Sequence, residues 1–199
     1  AVRVEGEKLF VDYEATTAGS GYVAPSVMLE FGARSTGEPA SLRDIKCDAS
    51  GLVEGVTFPT ARPRVMHAER TFWEKATLMH VECQREEFRT GAERLSRHWY
   101  DLAMLADIEH GQAAVVDRAL LADVVKHKKI FYNASYANYD ACLAGQLKLI
   151  PEDTALAALR DDFQRMIGAG MFIGEPPAFD AMVDRLRALE TAINGCSNG

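Results

Sequence analysis

The chain has 199 residues, of which 48% are hydrophobic, and it carries a formal net charge of -7 with a pI near 5.3. This length allows one sizeable core, or one core with an additional group of helices. The acidic balance argues against a broad surface for nucleic acid or for an anionic membrane, and it leaves room only for a local basic pocket.

The cysteine usage and the apolar runs predict the compartment. The four cysteines form no C-x-x-C pair, and none has a histidine at zinc-ligand spacing, which is typical of free thiols in a reducing cytoplasm. No apolar run approaches the roughly 20 residues that span a bilayer, and no signal peptide is visible. We therefore expect a cytoplasmic protein without a membrane partner.

The first third of the chain carries strand patterns. Val2–Glu5 and Leu9–Tyr13 are β-rich and flank a short turn, so they predict a hairpin, and residues 25–34 predict a further strand. In the turn-rich region that follows, short strands fit Leu42–Cys47 and Val53–Phe58.

From Glu69 onward the hydrophobic spacing is helical. Pro151 and Pro176 mark two helix starts, since proline suits the first turn. The predicted helices are Glu69–Cys83, Arg97–Ile108, Ala113–Lys126, Ala134–Leu147, Asp153–Ile167 and Phe179–Ile193. We therefore predict an α+β protein with a β-rich part over 1–66, a helical domain over 67–194 and a tail over 195–199.

Glu30 stands within the strand predicted over residues 25–34. On that strand Val27, Leu29 and Phe31 share one face, and Met28, Glu30 and Gly32 share the other. The carboxylate is explained either by a solvent-facing position on a one-sided antiparallel sheet or by a role in a site.

Two predicted helices each carry one charged residue beside the apolar stripe, Lys75 and Asp101. Lys75 can lay its stem along the core edge, or it can neutralise phosphate charge at a cleft. Arg70 lies near the same helix N-terminus, where free N–H groups favour anions, although neighbouring glutamates could pair with both cations instead. Asp101 can pair with Arg97 one turn earlier, or it can orient a hydroxyl or a lysine in a cleft.

The run from Lys126 to Lys129 is dense in basic residues. The aromatic residues that follow it are Phe131, Tyr132, Tyr136 and Tyr139. Cations near a helix C-terminus favour the helix dipole, which explains the run without a ligand. The alternative is RNA binding, in which Lys128 and Lys129 hold phosphates while bases stack on the aromatic rings.

Arg62 and His67 have the R-x-x-x-x-H spacing of some ribonucleases, in a proline-bearing loop before a helix. That hypothesis requires both side chains in one pocket. The sequence contains no G-x-x-x-x-G-K-[ST], G-x-G-x-x-G, G-x-S-x-G or D-x-D motif.

Two blocks in order resemble the helical core of the AbiEii-type nucleotidyltransferases, toxins of type IV toxin–antitoxin and phage-abortive-infection systems. The blocks are Glu69-Arg70-Thr71-Phe72-Trp73-Glu74-Lys75 and Arg97-His98-Trp99-Tyr100-Asp101-Leu102. The strand around Glu30 and the segments 161–166 and 193–194 resemble the family too, so the resemblance covers nearly the whole chain. It implies part of a DNA-polymerase-β-like nucleotidyltransferase sheet followed by a C-terminal helical domain. It also implies transfer of a nucleotide from a nucleoside triphosphate to an acceptor, tRNA in some members, and a cognate antitoxin partner.

The resemblance also implies roles for individual residues. Lys75 corresponds to the triphosphate contact, Asp101 to a supporting carboxylate and Glu30 to an acidic residue that adds to a Mg²⁺ site. The main Mg²⁺ ligands of the family come from a Gly-Ser…Asp-x-Asp element, and no Asp-x-Asp follows Gly19-Ser20 here.

The abrupt start at Ala1-Val2-Arg3-Val4 leads us to expect that the parent protein carries the Gly-Ser…Asp-x-Asp element upstream. The parent is then active and the 199-residue chain inactive. The alternatives are a degenerate member of the family and a non-catalytic module of the same fold that binds RNA or an antitoxin.

Overall fold

In the part of the chain that the structure describes, every strand precedes every helix. The computed structural model describes residues 1–16, 18, 21–34, 36–86 and 94–196. The elements are β1 (Val2–Glu5), β2 (Lys8–Asp12), β3 (Ser26–Glu30), β4 (Ala40–Leu42), β5 (Ile45–Lys46), β6 (Thr60–Ala61), β7 (Arg64–Met66), α1 (Ala68–Cys83), α2 (Arg97–Ala106), α3 (Glu109–Val116), α4 (Arg118–Phe131), α5 (Tyr139–Leu143), α6 (Asp153–Gly168) and α7 (Phe179–Gly195). This mixture of helices and small antiparallel sheets confirms the predicted α+β class.

The largest sheet is a three-stranded antiparallel unit in the order β1-β2-β3. Its hairpin turns at Gly6, whose φ of 60° lies in the left-handed region that glycine adopts without steric cost. Leu9 lies opposite Val4 on one side and opposite Leu29 on the other. The predicted hairpin and the strand that follows it are both confirmed.

The short strands between residues 40 and 66 were predicted less well. β4 pairs with β7, and β5 pairs with β6, both antiparallel. The predicted strand Leu42–Cys47 is correct only in part, because β4 ends at Leu42 and β5 is Ile45–Lys46. The predicted strand Val53–Phe58 is wrong, because these residues form turns and coil. The strands that follow are held by partners far back in the sequence, which local alternation does not reveal.

Four helices lie close to their predicted positions, namely α1, α2, α6 and α7. The single helix predicted over Ala113–Lys126 is wrong. The side chain of Asp117 accepts a hydrogen bond from the Leu120 N–H at 2.9 Å, so α4 has its own N-cap and the chain breaks after α3. The helix predicted over Ala134–Leu147 is correct only for the short α5.

The hydrophobic core lies among the helices. Its largest fully buried members include Phe72 and Trp73 of α1, Trp99 of α2 and Phe163 of α6. Burying side chains of this size contributes about 1.5–3 kcal/mol each. Both tryptophans also donate their indole N–H to main-chain carbonyls, which fixes the rotation of α1 and α2.

A buried carboxylate joins three separate parts of the chain. Asp162 of α6 is 2% exposed and accepts hydrogen bonds from the Tyr22 hydroxyl at 2.7 Å and the Arg94 N–H at 2.9 Å. It also accepts from the N–H of Ser96 at 2.8 Å and from its hydroxyl at 2.7 Å. Burial alone would raise the pKa of Asp162, but the hydrogen bonds from Ser96, Tyr22 and Arg94 outweigh it and hold the pKa below its usual value. The segment before β3 and the start of α2 are thereby attached to α6.

Candidate functional site

The neighbouring helices α1 and α2 bring Lys75 and Asp101 together. The Nζ atom of Lys75 donates a hydrogen bond to Oδ2 of Asp101 at 2.6 Å. The two side chains are 20% and 41% exposed, so solvent and ligands can reach the pair. Asp101 therefore pairs across helices with Lys75, rather than along its own helix with Arg97. A partly exposed ion pair of this kind contributes at most about 1 kcal/mol to stability.

His98 lies one turn before Asp101 and close to the same charges. Burial, together with the positive charges of Lys75 and Arg97, lowers the pKa of His98 to about 4. The ring is therefore neutral near pH 7. Its Nδ1 atom is buried and has no hydrogen-bond partner among the described residues.

A second set of charges links α1 to α4. Arg70 is 2% exposed, and its Nη1 lies 2.7 Å from Oδ2 of Asp123 while its Nε lies 3.4 Å from Oε1 of Glu74. The other oxygen of Glu74 lies 2.5 Å from Nζ of Lys128. Arg70, predicted from the sequence to bind substrate, is thus enclosed between two carboxylates in this structure.

The two lysines of the basic run point to different surroundings. The ammonium of Lys128 lies 4.5 Å from the centre of the Tyr132 ring, and its side chain is almost buried. Lys129 instead forms an exposed ion pair with Asp140 of α5 at 2.8 Å. The structure therefore does not present the run as one continuous basic patch.

A cavity of about 600 Å³ opens beside Lys128, between α1, α2 and the segment that follows α4. The aromatic residues that line it are Phe131, Tyr132, Tyr136 and Tyr139. The cations that line it are Arg34, Arg85 and Lys128, and His98 lines it as well. Sequence reasoning missed Arg34 and Arg85, because four separate stretches of chain meet here, and it set His98 aside as an ordinary helical histidine.

Glu30 is exposed at the end of β3 and lies opposite Lys8 in the sheet. Four residues later Arg34 reaches the cavity, so the two Cα atoms are at most about 14 Å apart. The part of Glu30 in a site shared with Lys75 and Asp101 stays a prediction.

The described residues do not fit a magnesium ion by themselves. Within 1–16, 18, 21–34, 36–86 and 94–196, no group of three or more His, Cys, Asp or Glu side chains is placed to hold a metal. Magnesium binds through several oxygen ligands, and Glu30 brings only one carboxylate to the end of β3. Gly19 and Ser20 lie outside the described residues.

The R-x-x-x-x-H pair is not brought together. His67 lines a cavity of about 430 Å³ with Glu69 and His110, whereas Arg62 is exposed and pairs with Asp44 at 3.4 Å. Burial raises the pKa of Glu69, but the hydrogen bond from His110 at 2.7 Å is the larger effect and lowers it overall. The pocket that the ribonuclease hypothesis requires is not found among the described residues.

A comparison with protein families gives the class of the protein. The family model described as "Nucleotidyl transferase AbiEii toxin, Type IV TA system" matches residues 1–185. The chain therefore belongs to the AbiEii family of nucleotidyltransferase toxins, as its sequence motifs indicated. No curated protein and no solved structure matches it significantly. Among the described residues, no helix has the length and apolar character needed to cross a bilayer.

Proposed function

We propose that this chain belongs to a cytoplasmic enzyme that transfers a nucleotide from a nucleoside triphosphate to an acceptor, with tRNA as the candidate acceptor and a cognate antitoxin as partner. The observation that carries the proposal is the contact of 2.6 Å between Lys75 and Asp101. It joins the two sequence blocks that resemble the family, within the matched residues 1–185. The proposed fold is a DNA-polymerase-β-like sheet with a helical domain.

In this proposal Lys75 meets the triphosphate. An ammonium group has three N–H donors, and Asp101 takes one, so two remain for phosphate oxygens. Asp101 holds the lysine side chain in place through this hydrogen bond. Arg70, Lys128 and Lys129 are proposed as further contacts to substrate.

Glu30 is proposed as a catalytic residue and as one ligand of the Mg²⁺ ion that the chemistry of the family requires. Bound magnesium would neutralise phosphate charge during transfer. Since Glu30 is a single carboxylate and the chain has no Asp-x-Asp, further ligands are needed. We therefore expect the 199-residue chain alone to show no transfer.

The test uses the product of the complete reading frame, with the 199-residue chain beside it. Each is incubated with labelled nucleoside triphosphates, Mg²⁺ and total tRNA. We expect Lys75→Met and Asp101→Asn to lower transfer by on the order of a hundredfold. Lys75→Met removes the positive charge that faces the phosphates, and Asp101→Asn removes the carboxylate that positions Lys75. Asp180→Asn is the matched control, since it breaks the exposed ion pair with Arg160. Unchanged transfer in both site variants would refute the proposed roles.

A second candidate function is a non-catalytic module that binds RNA or an antitoxin. The sheet favours it, because Val2, Val4 and Phe31 are 65%, 71% and 62% exposed. Contiguous exposed apolar surface commonly marks an interaction site. The complete protein would then retain tRNA or antitoxin without any nucleotide transfer.

A further inference from the structure

We propose that the cavity beside Lys128 binds one nucleotide, with its base against Tyr132 and its phosphate against Arg34 and Lys128. This inference rests on the proposed function and adds a binding site to it. The cavity is separate from the Lys75–Asp101 contact, since neither of those residues lines it. It is open to a ligand of about one nucleotide.

Aromatic rings form one side of the cavity. Phe131 and Tyr132 are 45% and 42% exposed, although they lie next to a well-packed helical core. Tyr132 makes ring contact with Lys128 on one face, and no hydrogen bond from its hydroxyl is found among the described residues. Exposed rings of this kind can stack with nucleobases, and each base stack is typically strong enough to measure by mutation.

Three cations and one carboxylate line the same cavity, so its charge is positive in a chain whose net charge is negative. Arg85 pairs with Glu82 at 2.8 Å and lies over the Tyr136 ring at 4.7 Å. Lys128 is held by Glu74 at 2.5 Å. Arg34 has no ion-pair partner in the described part of the chain, so a phosphate would be its counter-ion.

Size and chemistry together select the ligand. A volume of about 600 Å³ falls within the range of small-molecule sites. Flat aromatic surface beside Arg34, whose charge no carboxylate of the described residues neutralises, matches a base joined to a phosphate. A peptide of acidic residues would use the cations and leave the aromatic rings unused.

The cavity is adjacent to the Lys75–Asp101 pair. His98 lines the cavity, and it also lies close enough to Lys75, Asp101 and Lys128 for their charges to act on it. A nucleotide bound here would therefore lie next to the site of phosphate chemistry. It could come from the nucleoside triphosphate donor or from the single-stranded end of an acceptor RNA, and both present the same base and phosphate.

The experiment measures dissociation constants with the product of the complete reading frame. Each of the four nucleoside triphosphates is titrated by calorimetry, and a fluorescein-labelled single-stranded RNA oligonucleotide is titrated by anisotropy. The variants are Tyr132→Leu, Tyr132→Phe and Lys128→Ala, with Tyr13→Leu and Lys148→Ala as controls, because both control residues are exposed away from the cavity. Thermal melting checks that every variant is folded.

We expect Tyr132→Leu and Lys128→Ala to weaken binding of one probe by about fivefold or more, while Tyr132→Phe and the controls bind as wild type. The probe whose binding weakens identifies the bound nucleotide as part of the triphosphate donor or of the RNA acceptor. Dissociation constants within twofold for all variants, or equal losses in Tyr132→Leu and Tyr132→Phe, would overturn the inference. Transfer activity is read in the same preparations. If the wild type transfers nucleotide but the Tyr132 and Lys128 variants bind both probes as tightly as wild type, only the proposed binding site in the cavity is wrong. If the wild type transfers no nucleotide, the proposed function is wrong.

Discussion

Replacing Asp162 with asparagine removes the charge that joins the segment before β3, the start of α2 and α6. The Tyr22 hydroxyl and the Arg94 N–H donate to Oδ1, and the N–H and hydroxyl of Ser96 donate to Oδ2. An asparagine replaces one of the two oxygens with an NH₂ group. Whichever way the amide faces, one main-chain N–H and one hydroxyl lose their hydrogen bond to residue 162. The Arg94 N–H keeps the Tyr22 oxygen at 2.9 Å and the Ser96 hydroxyl keeps the Met166 sulfur at 3.0 Å, whereas the Ser96 N–H has no such second acceptor among the described residues.

The expected loss follows from those two hydrogen bonds. A hydrogen bond to a charged group contributes about 1.5–3 kcal/mol, so losing two lowers the free energy of unfolding by about 3 kcal/mol or more. Because the folded pKa of Asp162 is lowered, its ionised form adds stability that is fully present above the unfolded pKa of about 3.9. That stability is lost as the pH falls through the folded pKa. The difference between wild type and variant is therefore largest near pH 7 and narrows below about pH 4.

Urea denaturation followed by circular dichroism at pH 7 and at acidic pH measures this difference. Asp161→Asn is the matched control, because Asp161 is the neighbouring residue on α6 and is exposed. It should change the free energy of unfolding by less than about 0.5 kcal/mol. If Asp162→Asn were as stable as this control at pH 7, the description of Asp162 as a structural junction would be wrong.

Two glycine substitutions and one cysteine-labelling experiment test the packing of the helices. Gly111→Ala should lower the free energy of unfolding by about 1–3 kcal/mol, because a Cβ there would lie 2.1 Å from the main-chain oxygen of Leu105. Gly168→Ala meets nothing within 4 Å at the end of α6 and should leave the free energy of unfolding unchanged or raise it by up to about 1 kcal/mol. Equal denaturation midpoints for the two variants would contradict this. Burial raises the pKa of Cys83 to about 12, so this thiol should react with a thiol reagent at pH 8 far more slowly than the exposed Cys47. Mass spectrometry over time measures the two rates, and equal rates would show that Cys83 is accessible.

Local patterns predicted the elements that are stabilised locally. The apolar spacing of α1 and α2 continues through the whole of each helix, and it gave their positions closely. The break between α3 and α4 depends on one side chain, Asp117, within an otherwise helical composition. The strands β4 to β7 are two or three residues long and depend on distant partners, so spacing alone could not locate them.

The candidate site was partly predictable for the same reason. Lys75 and Asp101 each stood beside an apolar stripe, and the packing of two helices was enough to bring them together. The burial of Arg70 was not predictable, because it depends on Asp123, fifty-three residues later on a different helix. The cavity could not be predicted from the sequence, because the residues that line it come from the loop after β3, from α1, from α2 and from the end of α4.

The position of the two tryptophans has a spectroscopic consequence. The chain contains only Trp73 and Trp99, each fully buried and two residues before Lys75 or Asp101 respectively. Intrinsic tryptophan emission from these 199 residues therefore arises entirely from the two helices that carry the charged pair. A change in emission therefore reports on those helices, and unfolding of the three-stranded sheet alone would leave the emission largely unchanged.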